Sequence, residues 1–256
     1  IWDKQAGIGF PQGVPPVIIL IRKRHVAYVV LLCCFVAGLS AVLWHGNAAF
    51  TAAFAPGEEG ASPVVVVDAG HGGEDGGAVA ADGTVESGLN LAIARRVRDL
   101  LTFAGVPTTV TREGDAAIYD PGSATLREKK VSDLHNRVAL VNELPGAVLL
   151  SIHQNSLPSS PSTRGAQVFW NRQEGAEELA SSIQEALNGA VNAGHEKKAA
   201  QVPSSVYLMK EITAPGVLVE CGFLSNAAET EQLKDPAYQT KLAAAIAAGV
   251  LNSDKR

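Results

Sequence analysis

Between Pro63 and Leu251, apolar runs of strand length alternate with helical stripes, and no other sequence feature constrains the fold as much. "VVVVDA" (64–69), "AVLLSIH" (147–153) and "GVLVECGF" (216–223) are apolar almost throughout, as strands buried on both faces are. "VPTTVTR" (106–112) and "GAQVFW" (165–170) read as two more strands. Between them, "ESGLNLAIARRVRDLLTFAG" (86–105) places Leu89, Ile93, Val97, Leu100 and Leu101 on one helical stripe and stops at Gly105. "VSDLHNRVALVNELPG" (131–146) predicts a second helix, capped by Ser132 or Asp133. "EGAEELASSIQEALNGAV" (174–191) predicts a third, and "PAYQTKLAAAIAAGVL" (236–251) a closing one. Strands separated by helices imply an α/β fold: a mainly parallel, twisted sheet of about six strands covered by helices, forming one domain over 63–256.

The N-terminal quarter has a different character. From Val26 to Trp44, nineteen residues carry no charge. As a helix they span about 28 Å, close to the hydrocarbon thickness of a bilayer. Arg22, Lys23, Arg24 and His25 stand immediately before this run, and the next lysine or arginine is Arg95. By the positive-inside tendency, residues 1–25 are a cytoplasmic segment, 26–44 a transmembrane signal-anchor, and the rest lies outside the cytoplasm. A translation start near Arg22 is an alternative for the first stretch. Small residues in "GNAAFTAAFA" (46–55) offer a second outcome, cleavage and secretion. Residues 45–62, with Pro56, Gly57 and Gly60, read as a flexible linker.

Charged residues are 18% of the chain and the pI is about 5.7, which excludes the basic face of a nucleic-acid binder. The net charge is −5. Residues 1–62 hold Lys4, Arg22, Lys23 and Arg24 against Asp3, Glu58 and Glu59, so the acidic balance belongs to the α/β domain. Three cysteines, two of them adjacent (Cys33, Cys34) and one alone (Cys221), make no disulfide framework and read as small hydrophobes.

In such sheets function gathers at the carboxyl ends of strands. His71 lies just past "VVVVDA", His153 ends "LLSIH", and Glu220 falls near the end of "GVLVECGF". Glu86 opens the first helix, where the helix dipole alone would also explain an acid. Glu220 is harder to explain structurally, because an unpaired carboxylate in an apolar strand is costly. Two histidines and a carboxylate are the ligand set of catalytic zinc sites, which keep a position open for water. Glu220 would then be the general base, taking a proton from the attacking water and returning it to the leaving amine. Gly70, Gly72 and Gly73 flank His71 and are expected to take positive φ, leaving the open face of the metal clear. The same donor set also suits other first-row metals.

The order of "VVVVDAGHGGEDGGA", "GTVESGLNLAIA", "TTVTREGD", "NRVALVN", "LLSIHQNS" and "LVECGFLSN" resembles that of the zinc-dependent N-acetylmuramoyl-L-alanine amidases of the third amidase family, over residues 64–251. The resemblance implies one zinc ion held by His71, Glu86 and His153, with Glu220 as catalytic acid/base. The bond cut would be the amide between the lactyl group of N-acetylmuramic acid and L-alanine in peptidoglycan. Asn155, in the "SIHxNS" stretch, is implied to bind substrate or support the ligands. Arg112 and Arg137 match positions that read as structural. Where members often have Glu-Lys, this chain has Glu86-Ser87.

"SDLHNRVALVNE", "RGAQVFW" and "VPSSVYLMKEITAPGVLVECGFLSN" are similar to the germination-specific subgroup of spore-forming bacteria. That similarity implies a role in spore cortex, where peptide removal precedes formation of muramic-δ-lactam. It leaves open an unknown accessory protein. Two other readings remain at this level: a zinc peptidase cutting within the stem peptide, and a non-catalytic, membrane-tethered peptidoglycan-binding protein.

Overall fold

The computed structural model describes residues 63–253. The expected cytoplasmic segment, signal-anchor and linker (1–62) lie outside the described residues, as do 254–256. Among the described residues no helix is long and apolar enough to cross a membrane.

β1 (Val64–Ala69) is the valine run, whose β-branched side chains favour extended backbone. The chain continues through α1 (Glu86–Phe103), β2 (Thr108–Val110), α2 (Leu126–Asn142) and β3 (Ala147–Asn155). Then follow β4 (Gln167–Trp170), α3 (Ala176–Ala190), β5 (Ala200–Gln201) and α4 (Tyr207–Glu211). β6 (Gly216–Phe223), α5 (Ala227–Lys234) and α6 (Pro236–Asn252) complete the domain. The six strands lie in the order β2-β1-β3-β6-β4-β5. The first four of these are mutually parallel, whereas β4 runs antiparallel to β6 and β5 parallel to β4.

Side chains alternate across the pleat, so each strand feeds two cores. Val65, Val67, Val148, Leu150, Ile152, Val217, Val219 and Cys221 pack under α1, α3 and α6. Val66, Ala147, Leu149 and Leu218 pack on the other face under α2 and α4, against Val141, Leu208, Met209 and Ile212. The sheet is therefore sandwiched between helices. The same alternation sends Asp68, Ser151, His153 and Glu220 to the α2 face at the carboxyl ends of β1, β3 and β6.

The second helix corrects the sequence expectation. It begins at Leu126, with Thr125 as cap: the Thr125 hydroxyl accepts from Glu128 N, and the Glu128 carboxylate accepts from Thr125 N. This capping box outcompetes Ser132 and Asp133 as the start. Asp133 instead accepts from Arg137 Nε at 2.8 Å and from the Ile118 backbone N–H at 2.7 Å.

Candidate active site

Two buried guanidinium groups shape the turn that leaves β1. Arg137 forms an ion pair with Asp68 and donates to the carbonyls of Ala69 (2.9 Å) and His71 (2.8 Å). Arg112 donates to the carbonyls of Ala69 (2.9 Å), Gly70 (3.2 Å) and Ser87 (2.8 Å). Asp68, itself buried, also accepts from Thr111 and Ser151; burial pushes its carboxyl up, but Arg137, these hydrogen bonds and the nearby His153 together hold it below the usual range. The structural role read for both arginines is thus specific: they fix the backbone that presents His71. Ser87, in place of the frequent lysine, is buried, and its carbonyl joins this network.

His71 itself takes φ 61°, the one non-glycine residue with positive φ among the described residues. Such a conformation costs roughly 1–3 kcal/mol and persists where the surroundings over-determine it. Gly72 and Gly73 do have positive φ, as expected. Gly70 does not serve an open face. A Cβ there would lie 2.2 Å from the His153 ring, so the missing side chain makes room for the second histidine.

His71, Glu86 and His153 come together, each offering a donor atom within 4.8 Å of the others. His153 Nδ1 lies 3.0 Å, and His71 Nε2 3.4 Å, from the same Glu86 oxygen, Oε1. Donors about 2.1 Å from a tetrahedral metal stand about 3.4 Å apart, so this set fits such an ion. Burial would push the Glu86 carboxyl up, but hydrogen bonds with His153 and His71 prevail and hold it well below the carboxylate range. For His71, burial disfavours the proton, yet the bonds to Glu86 and Asp75 win and raise its pKa above the ordinary value.

Glu86 does not cap its own helix. Its Oε2 accepts from Ala78 N at 2.8 Å, and Oε1 from Gln154 N (3.1 Å) and Asn90 Nδ2 (3.2 Å). The first helix N–H groups are satisfied by loop carbonyls, Glu86 N to Ala78 O and Ser87 N to Gly76 O. Gly77, at φ 71°, gives the carboxylate room, since a Cβ there would lie 2.4 Å from Oε2. Asn90, Asp75 and Gly77 were not singled out from sequence. The first two stand four residues after Glu86 and His71, a spacing that on a helix would have flagged Asn90.

Glu220 pairs in register with His153 across β3 and β6. Its Oε2 is buried and has no hydrogen-bond partner. Burial, reinforced by the like charge of Glu86 and opposed by the two histidines, pushes its pKa up to about 7. Cys221, next along the strand, faces the opposite core, and burial raises its thiol pKa. Asn155 lies outside the cluster. A bulge after His153 shifts its register to Phe223, and its side-chain oxygen accepts from Ser156 N at 2.7 Å.

A family model described as N-acetylmuramoyl-L-alanine amidase matches residues 65–252. The chain belongs to this amidase family. Similarity extends to the germination-specific N-acetylmuramoyl-L-alanine amidase of Bacillus subtilis, 36% identical over 188 residues, covering 73% of this chain and 78% of that protein. The amidase AmiA of Escherichia coli is 27% identical, covering 76% and 77% of the two chains. Among solved structures, the CwlD amidase of Clostridioides difficile in complex with the GerS lipoprotein is 35% identical with a TM-score of 0.71, covering 75% of this chain and 98% of that one. As a member of the amidase family, the chain is a hydrolase of the N-acetylmuramoyl-L-alanine bond in peptidoglycan.

Proposed function

We propose that the amidase works with one zinc ion held by His71, Glu86 and His153 and with Glu220 as acid and base. The observation that carries this is the orphaned Glu220 carboxylate beside the three-donor cluster: a buried acceptor without a partner is costly unless chemistry uses it. Zinc held by His71, Glu86 and His153 would supply Lewis-acid polarisation of the scissile carbonyl and lower the pKa of water. Glu220 accepts a proton from the attacking water as the water's oxygen adds to the lactyl carbonyl carbon. It then delivers the proton to the departing nitrogen as the C–N bond breaks, leaving a lactyl carboxylate and the free amine of L-alanine. A carboxyl with a pKa raised toward neutrality suits both halves of this transfer. Asn155, the last residue of β3, is assigned to substrate contact on the strength of the resemblance.

The test is digestion of peptidoglycan with the 256-residue chain, with and without zinc, and mass spectrometry of the products. Free stem peptides beginning with L-alanine and peptide-free glycan are expected only with metal. Glu220→Gln is expected to slow the reaction by at least about a hundredfold, the loss of a general acid/base. Cleavage inside the stem peptide would make the protein a peptidase, and full activity in Glu220→Gln would remove that residue from the mechanism.

The similarity to a germination-specific amidase supports action on spore cortex before muramic-δ-lactam forms. Deleting the gene in its host should then leave cortex without the lactam. The apolar run 26–44 supports a membrane-anchored protein with its catalytic domain outside the cytoplasm, so the chain is expected in the membrane fraction. Because its Clostridioides difficile neighbour is seen with a lipoprotein, an accessory partner of that kind is proposed here too, with co-purification as the check.

A further inference from the structure

The two histidines of the cluster are supported differently. His153 sits on β3, a strand paired on both sides, and its ring is wedged against Gly70. His71 stands on an irregular loop. Its main chain is held by Arg137, and its ring meets the His153 ring edge-on with centroids 5.0 Å apart, a contact that does not select which ring nitrogen carries the proton. Asp75 supplies what is missing: its Oδ2 lies 2.9 Å from His71 Nδ1, which leaves Nε2 facing Glu86 Oε1. Asp75 is itself held on three sides. Its backbone exchanges both hydrogen bonds with Gly72, at 2.9 and 3.2 Å. Its Oδ1 accepts from Gly77 N at 3.4 Å. Lys130, on the second turn of α2, places its ammonium 3.1 Å from Oδ2 and 3.2 Å from Oδ1.

We infer that Asp75 is a positioning residue for the metal centre, accepting the Nδ1–H of His71 so that the lone pair on Nε2 is directed at the ion. Lys130 ties this carboxylate to α2. The inference rests on the zinc reading above. A carboxylate behind a ligating imidazole fixes its tautomer and orientation and raises its basicity, and losing such a partner typically costs 10–100-fold in metal affinity. The decisive experiment compares zinc affinity, by chelator competition, in the wild-type chain, Asp75→Ala and Asp75→Asn. Asp75→Ala should bind zinc 10–100-fold more weakly. Asp75→Asn keeps an accepting oxygen without the charge and should fall between. Nitrogen-15 shifts of the zinc-loaded His71 ring should show one protonated Nδ1 in the wild type and a mixture of tautomers in Asp75→Ala. Unchanged zinc affinity in Asp75→Ala overturns the inference, as does a loss matched by a fall in the melting temperature of the metal-free protein. Two controls separate this from the site itself. If the wild type binds no zinc, or binds it as well after His71→Ala, the zinc reading falls and takes the inference with it.

Discussion

At the scale of single residues, the site depends on side chains that are absent as much as on those present. Gly77 and Gly83 both have positive φ, at 71° and 87°, so alanine at either carries the left-handed penalty of roughly 1–2 kcal/mol. Their surroundings differ. A Cβ at Gly77 would meet Glu86 Oε2 at 2.4 Å and His71 Cδ2 at 2.7 Å, whereas one at Gly83 meets nothing within 4 Å. Gly77→Ala is therefore expected to lose zinc affinity and hydrolysis as well as stability, while Gly83→Ala loses only the stability that the left-handed conformation costs. Denaturant titrations alongside hydrolysis rates separate the two. Equal activity in both variants would mean that the cradle around Glu86 is looser than its contacts indicate. His71, Glu86, His153 and Glu220 were legible because each is an ionisable residue at a strand end or helix start. Asp75 and Gly77 were not, because an acid and a glycine in a glycine-rich loop look like turn chemistry until the fold brings them against a histidine and a carboxylate.

At the scale of elements, the strands β1 to β4 and β6 were expected, whereas β5, α4 and α5 were not. β6 runs from Gly216 to Phe223, as expected, and α6 ends within a residue of the predicted limit. Both have strong hydrophobic patterns. β5 has two residues and α4 five, too few to show any period, so tertiary contacts decide them. α2 shows a different failure. Its first turn, Leu126 to Lys129, is largely exposed and has no apolar stripe, so the pattern begins a turn late, and only Thr125 and Glu128 mark the true start. That start matters because Lys130, Asp133 and Arg137 all reach the loop carrying His71 from this helix or brace it. Thr125→Ala removes one half of the capping box and is expected to lower unfolding free energy by about 1 kcal/mol. Urea denaturation measures it directly. No change would show that the first turn contributes nothing to the stability of the domain.

At the scale of the whole molecule, the three donors come from a loop after β1, the first turn of α1 and the end of β3, elements that adjoin only in the folded chain. An ion bound there stabilises the native state alone. With free zinc at about a hundred times its Kd, the gain is about 2.7 kcal/mol. In a domain of this size that raises the melting temperature by roughly 5–10 °C. The size of the shift must depend on pH, because histidine ligands bind metal in their neutral form. In the metal-free protein the His71 pKa is raised, so its proton stabilises the fold fully below the ordinary value and that contribution fades as pH rises through the higher folded value. The Glu86 carboxyl, held low, is already ionised throughout this range. Rising pH therefore weakens the metal-free protein slightly while removing the proton that competes with zinc. Both changes widen the gap between the two forms. Calorimetry with zinc and with a chelator should show a small difference near pH 5.5 and the full one near pH 8. A shift that is the same at both values, or that survives His71→Ala, would mean that zinc stabilises the chain from somewhere other than this site.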